Sequence, residues 1–109
     1  MVARATVIIP TFGQAEFALW SIKSVQSQTV KDIEICIICD GSPENMVDYF
    51  KAMAQDDSRI KIFAFPKGPR HGEIYRDAVI KQNTQGRIIC YCAHDDLWYP
   101  DHIEKLEKI

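Results

Sequence analysis

The sequence predicts an α/β fold, an open, mostly parallel sheet with helices on both faces. Three observations lead there. Short apolar runs rich in β-branched residues alternate with stretches of helical spacing. The runs begin near residues 5, 33, 60 and 87, a spacing that suits right-handed crossover units. A chain of 109 residues has material for one core and not for two.

The first strand is Ala5-Thr-Val-Ile-Ile9, so continuously apolar that burial on both faces is expected. Phe17, Ala18, Ile22 and Val25 then form the stripe of a first helix. The second strand, Ile33 to Cys39, again reads as buried on both faces. Ser42, ahead of Pro43 and Glu44, reads as the N-cap of a second helix with Met46, Val47, Phe50 and Met53 as its stripe. In the third strand, Ile60 to Phe65, Ile60 and Ile62 alternate with Arg59 and Lys61, which places it toward an edge.

A third helix is expected from about Glu73 to Gln82, with Ile74, Tyr75, Ala78 and Val79 inward. The fourth strand, Arg87 to Cys92, reads as buried on both faces. A fourth helix starts near Pro100, whose missing N–H is harmless in a first turn, and carries Ile103, Leu106 and Ile109 on one face. No Gly or Asn closes that pattern. The expectation is therefore one domain over 1–109, cut in or after its last helix.

A hydrophobic fraction of 47% with 26% charged residues is ordinary for a folded soluble chain. The net charge of -2 supplies no basic field to hold a polyphosphate backbone, which argues against nucleic acid as a partner. The N-terminal apolar run reaches Pro10 long before the roughly 20 residues that span a bilayer, and it lacks the parts of a signal peptide. No membrane segment is expected in this chain. A cytoplasmic location follows as the default, or the cytoplasmic face of a membrane in a longer parent protein.

Cys36 and Cys39 form a CxxC, and Cys90 and Cys92 a CxC. Both lie in strands, where side chains alternate, so Cys36 and Cys39 should point to opposite faces and share no metal. Core thiols in a reducing compartment are the expectation.

Open parallel sheets bind ligands beyond the carboxyl ends of their strands. The segments there are Pro10-Thr-Phe-Gly13, Asp40-Gly-Ser-Pro-Glu44, Pro66 to Gly72, and Ala93-His-Asp-Asp-Leu97. Asp95 and Asp96 are the sharpest chemical signal, because a hard divalent cation takes one or two carboxylates and fills its shell from substrate phosphates. The plainer alternative is that the two acids solvate a turn or cap a helix.

Val7-Ile-Ile-Pro-Thr11, Ser24-Val-Gln-Ser-Gln28, Asp40-Gly-Ser42, Arg76-Asp77 and Asp95-Asp-Leu-Trp-Tyr-Pro-Asp101 occur in one order. In that order and spacing the chain resembles the family 2 glycosyltransferases of the Rossmann-like GT-A fold, over the nucleotide-sugar-binding first half only. The resemblance implies transfer of a sugar from a nucleotide-diphospho-sugar, with a leaning to a UDP-sugar, onto an acceptor hydroxyl, mostly with inversion. It implies that Pro10 and Thr11 lie near the base and that Asp40 accepts the uracil N3–H, a fitting task for an acceptor-only carboxylate. It further implies that Arg76 helps hold the nucleotide. Asp95 would ligate Mn2+ or Mg2+ bridging the diphosphate, with Asp96 beside it in the metal site. The catalytic base, a carboxylate of the second half, and the acceptor site have no counterpart here.

Departures from the family pattern limit the transfer. Ala93 stands where a first acid is common, His94 fills the variable place, Asp77 replaces an asparagine and Val79 a glycine. Lys67, Arg70 and His71 form a cationic loop, near phosphate or merely solvated. The expected behaviour is weak uridine-nucleotide binding without turnover, and self-association, for example as a homodimer, through the fourth strand and last helix. A non-catalytic nucleotide-binding or assembly module of the same descent is the alternative. A phosphoacceptor signalling domain fits poorly, because Thr11-Phe-Gly and Pro66-Lys-Gly stand where its acids should be.

Overall fold

The computed structural model describes residues 3–13, 16–66, 75, 78–81, 86–93 and 96–109. Four strands, β1 (Ala5–Phe12), β2 (Ile33–Asp40), β3 (Ile60–Phe65) and β4 (Ile88–Tyr91), form one sheet in the order β3-β2-β1-β4. Every pairing is parallel. Helices α1 (Ala18–Gln26), α2 (Glu44–Asp56) and α3 (His102–Glu107) complete the described elements. Of the third helix expected from the sequence, Tyr75 and residues 78–81 are helical, and the rest lies outside the described residues.

Strand alternation sorts the apolar side chains onto two faces. Val7, Ile9, Ile35, Ile37 and Cys39 share one cluster with Ala18, Ile22 and Val25 of α1, Met46 and Phe50 of α2, and Ile103 of α3. Ile8, Cys36 and Ile38 meet Val79, Tyr75 and Ile80 on the other face. Cys36 and Cys39 are thus on opposite faces as expected, and all four cysteines are buried and outside any disulfide. Arg4 Nε donates to Glu107 Oε2 at 2.9 Å, tying the far end of α3 back to the start of β1.

Several expectations need correction. β1 continues through Pro10 to Phe12. Ile8 O accepts the Cys92 N–H at 2.9 Å, so Pro10, two residues on, presents its backbone to the same side. There β4 has already ended, and the missing N–H breaks no ladder bond. β4 is not buried on both faces: Ile89 is 38% and Tyr91 55% exposed, because the strand lies at a sheet edge with β1 as its single neighbour in the sheet order. β3, at the opposite edge, matches its expectation.

The N-cap of α2 is Pro43, whose carbonyl accepts from Met46 and Val47, and no side chain caps it. Ser42 is drawn instead toward Thr11, with the two hydroxyl oxygens 3.4 Å apart. α3 begins two residues after Pro100, with Asp101 as N-cap, and ends before Ile109, which is fully exposed. Phe17 precedes α1 and is 45% exposed rather than inward, since Ala18, Ser21, Ile22 and Val25 are the positions the helix buries.

Candidate nucleotide-sugar site

The carboxyl edge of the sheet is built where β1 and β2 end together. Their register pairs Pro10 with Ile38, Thr11 with Cys39 and Phe12 with Asp40, and β3 adds Phe65 opposite Asp40. Asp40 is therefore the middle of a row, Phe12–Asp40–Phe65, on one face of three parallel strands. Its residue is only 4% exposed. The chain then leaves β2 through Gly41 at φ 69°, a left-handed turn that glycine takes without steric penalty. That turn brings Gly41 N–H to Phe65 O at 2.8 Å and closes the β2–β3 end.

Aromatic residues flank Asp40 on both neighbouring strands. Phe65 stacks on Tyr75 with centroids 4.3 Å apart and planes 4° from parallel. Tyr75 Oη donates to Pro66 O at 2.8 Å, fixing the ring over the end of β3. Phe12 is 49% exposed. An acceptor-only carboxylate on a strand flanked in register by aromatic residues is suited to a planar heterocycle carrying an N–H donor. Phe12 and Phe65 were not singled out from the sequence, where an aromatic in an apolar strand is indistinguishable from core, and Tyr75 was expected only as part of a helix's apolar stripe. Their register with Asp40 is the signal, and it exists only once the strands are paired.

Thr11 faces the opposite way. It is 1% exposed, and its hydroxyl donates to Ile38 O at 3.3 Å while lying 3.4 Å from Ser42 Oγ. Its neighbour Cys39 has its thiol pushed up by burial, against an opposing pull from hydrogen bonds with Thr11 and Ser42. Pro10 and Asp40 thus share a face, and Thr11 braces the strand end from beneath.

Asp96 is exposed on the segment that leaves β4, with its N–H donated to Ala93 O at 3.0 Å. Arg76, Asp95 and His94 lie outside the described residues, as does the cationic loop of Lys67, Arg70 and His71. Among the described residues no three His, Cys, Asp or Glu side chains cluster as a metal cage. No helix among them is long and apolar enough to cross a membrane.

The segment after Asp96 is anchored by residues the sequence offered only as a motif. Gln28, with no exposed surface, donates through Nε2 to Tyr99 O at 2.7 Å and to Ser24 O at 3.2 Å, and accepts Ile103 N–H at 3.0 Å. Ser24 Oγ accepts Trp98 N–H at 3.2 Å. Thr29 N–H donates to Pro100 O at 2.8 Å.

Comparison with known proteins agrees with this architecture. An uncharacterized glycosyltransferase of Rickettsia conorii is 39% identical over 102 residues, which cover 93% of this chain and 16% of that protein. The chondroitin synthase of Pasteurella multocida is 27% identical over 91% of this chain and 10% of its own length. The chain therefore spans only a small part of these relatives. Among solved structures, Staphylococcus aureus TarS 1–349 superposes with a TM-score of 0.82 at 15% identity, over 96% of this chain and 31% of that one. The mannosyltransferase PcManGT of Pyrobaculum calidifontis, in complex with GDP-Man and Mn2+, does so at 0.72 and 17% identity, over 98% and 31%. At such identities these two establish the fold, while residues 6–108 match the family described as glycosyl transferase family 2. The chain belongs to that family.

Proposed function

We propose that the chain is the donor-binding part of an inverting glycosyltransferase, holding a UDP-sugar together with Mn2+ or Mg2+ at the carboxyl edge of the sheet. The observation that carries this reading is the Phe12–Asp40–Phe65 row. Asp40 accepts the N3–H of uracil, and the exposed Phe12 ring offers an apolar surface beside it. Pro10 and Thr11 shape the strand end under the base, and Arg76 takes part in holding the nucleotide. The TarS 1–349 structures in complex with UDP and with UDP-GlcNAc lend support by likeness of fold.

A divalent cation fits the donor set. Asp96 presents an exposed carboxylate next to Asp95 in sequence, and carboxylate oxygen is the ligand that hard cations take. Substrate phosphates would supply further oxygens to its shell, as hard cations bound through one or two carboxylates commonly take them. When bound, the cation offsets charge on the departing nucleoside diphosphate. The chain's own residues orient the base and keep the acids at the strand end. Acceptor deprotonation is assigned to no residue of this chain, so the 109 residues alone bind donor and transfer nothing.

Ala93, exposed where the family commonly has an acid, favours a second reading, a non-catalytic nucleotide-binding or assembly module. Calorimetry with UDP, with and without MnCl2, on the intact chain, Asp40→Ala and Asp95→Ala separates the two. Metal-dependent binding lost in both variants supports the donor site, and metal-independent binding supports the module. No binding by the intact chain sinks both, and sugar transfer to an added acceptor overturns the assignment of inactivity. Self-association along the outer flank of β4 belongs to the same proposal.

A further inference from the structure

We infer that Gln28, seconded by Ser24, is a positioning residue for Asp96: it sets where the acidic segment stands at the carboxyl edge without itself touching ligand. The inference rests on the donor-site reading for its functional meaning and on hydrogen-bond geometry for its mechanism.

Among the described residues between β4 and α3, Asp96 is bracketed by anchors on either side. Upstream, Cys92 N–H is held by Ile8 O at 2.9 Å, within the sheet. Downstream, Trp98 N–H is held by Ser24 Oγ at 3.2 Å. Asp96 lies two residues before the second anchor, a reach of roughly 7 Å at full extension. Its position therefore depends on what fixes Trp98 to Ile103.

Gln28 fixes both ends of the Tyr99–Ile103 turn, beside the bond from Thr29 N–H to Pro100 O. Asp101, the N-cap of α3, makes no side-chain cap bond, so the first turn takes its cap from another element. Gln28 Oε1 accepts the Ile103 N–H, and its amide group grips Tyr99 O on one side and Ser24 O on the other. One buried amide thereby fastens the end of α1 to both sides of the Tyr99–Ile103 turn. Ser24 carries the fastening one step closer to Asp96, and its own hydroxyl proton goes to Ser21 O at 2.7 Å. A surface-facing glutamine would be replaceable; one with no exposed surface and both amide groups engaged is not, because its loss leaves the N–H of the buried Ile103 without its acceptor.

The test uses the 109-residue chain with the exposed Trp20 changed to Phe, so that Trp98 is the sole tryptophan. Affinity for UDP with MnCl2 is read from Trp98 emission in Gln28→Ala, Gln28→Glu and the control Thr6→Val, whose hydroxyl serves the opposite end of the sheet. All are kept at temperatures where circular dichroism shows them folded. Gln28→Ala is expected to weaken binding about 10- to 100-fold, the range for residues that orient metal ligands, while Thr6→Val leaves affinity unchanged. In Gln28→Glu a neutral acid can both donate to Tyr99 O and accept Ile103 N–H, so its deficit narrows between pH 7.5 and 5.5. Amide hydrogen exchange supplies the second arm, with faster exchange expected over residues 96–103 in Gln28→Ala and none in β1 or β2. Equal losses in Gln28→Ala and Thr6→Val, or unchanged exchange over 96–98, overturn the inference. If the parent chain binds no UDP, the donor-site reading fails, and the exchange arm alone decides whether Gln28 holds the segment.

Discussion

Gly86 donates its N–H to the hydroxyl of Thr6 at 2.8 Å, and it does so at such close range that a Cβ on Gly86 would lie inside contact distance of the Ala5 and Thr6 backbones. The same hydroxyl donates to Glu34 Oε1 at 2.7 Å, and Glu34 in turn pairs with Lys61. One threonine thus joins the start of β4 to β1, β2 and β3.

Gly86→Ala is expected to destabilise the fold by about 3 kcal/mol, the upper end of overpacking costs, because the obstacle is backbone and cannot swing aside. For a domain of this size that is a fall in Tm of roughly 4–8 °C per kcal/mol. Thermal unfolding followed by circular dichroism measures it. A Tm within 2 °C, to order of magnitude the scatter of surface changes, would show that β4 does not approach β1 this closely.

Acid stability should depend on the turn between α2 and β3. Asp57 accepts from Arg59 Nη2 at 2.8 Å and from Gln26 Nε2 at 3.1 Å. The Arg59 guanidinium, with help from Gln26 and against the opposing effect of burial, holds the Asp57 carboxyl well below the usual range. A depressed folded pKa means that the unfolded chain takes up the proton first as pH falls. The stabilisation is therefore complete above the ordinary carboxyl pKa of about 4 and is lost progressively below it. Urea unfolding of the parent chain and Asp57→Asn at pH 7, 4 and 2.5 should show a difference that is largest at pH 7 and shrinks with acid. A constant difference would remove Asp57 as its source.

Most of the fold was legible in the sequence because its evidence is periodic. β1 and β2 are runs of Val, Ile and Cys that cannot be hidden on one side, and α1 and α2 carry their stripes at helical spacing. What was not legible depended on neighbours. Arg87–Cys92 and Ile33–Cys39 look alike in composition, yet β4 has one strand beside it and β2 has two. Ser42 has the chemistry of a cap, and only the closeness of Thr11 shows that its hydroxyl is turned elsewhere. Asp40 was picked out by resemblance, whereas Phe12 and Phe65 needed the register. Gln28 looked like one letter of a motif, and its role comes from bonds reaching across 71 and 75 residues of chain.

The thiols should be inert in the native state. Cys36 is fully buried, and burial, reinforced by the nearby Glu34 charge, pushes its thiol up to about 12. Cys39 and Cys90 are raised as well, chiefly by burial. Reaction needs the thiolate and access, so Ellman's reagent at pH 8 should titrate none of the four cysteines within minutes, and all of them in guanidinium chloride. Rapid native reaction of even one would mean that a sheet face opens on that timescale.

The outer flank of β4 gives the last prediction. Ile89 is 38% exposed on an edge strand, and Leu97 and Tyr99, on the segment that follows, are 61% and 82% exposed. An edge strand offers backbone for pairing, and apolar surface beside it adds a driving force for association. Charge is the ordinary means of blunting such an edge, so Ile89→Lys should weaken association while leaving the fold intact, its side chain being already partly in water. Sedimentation equilibrium of the parent chain from about 5 to 500 μM, which brackets the range expected of weak contacts, should show mass rising with concentration. Ile89→Lys should shift that rise at least tenfold higher. A parent chain that stays monomeric throughout would remove this flank as an interface, and an unshifted variant would place the contact elsewhere on the molecule.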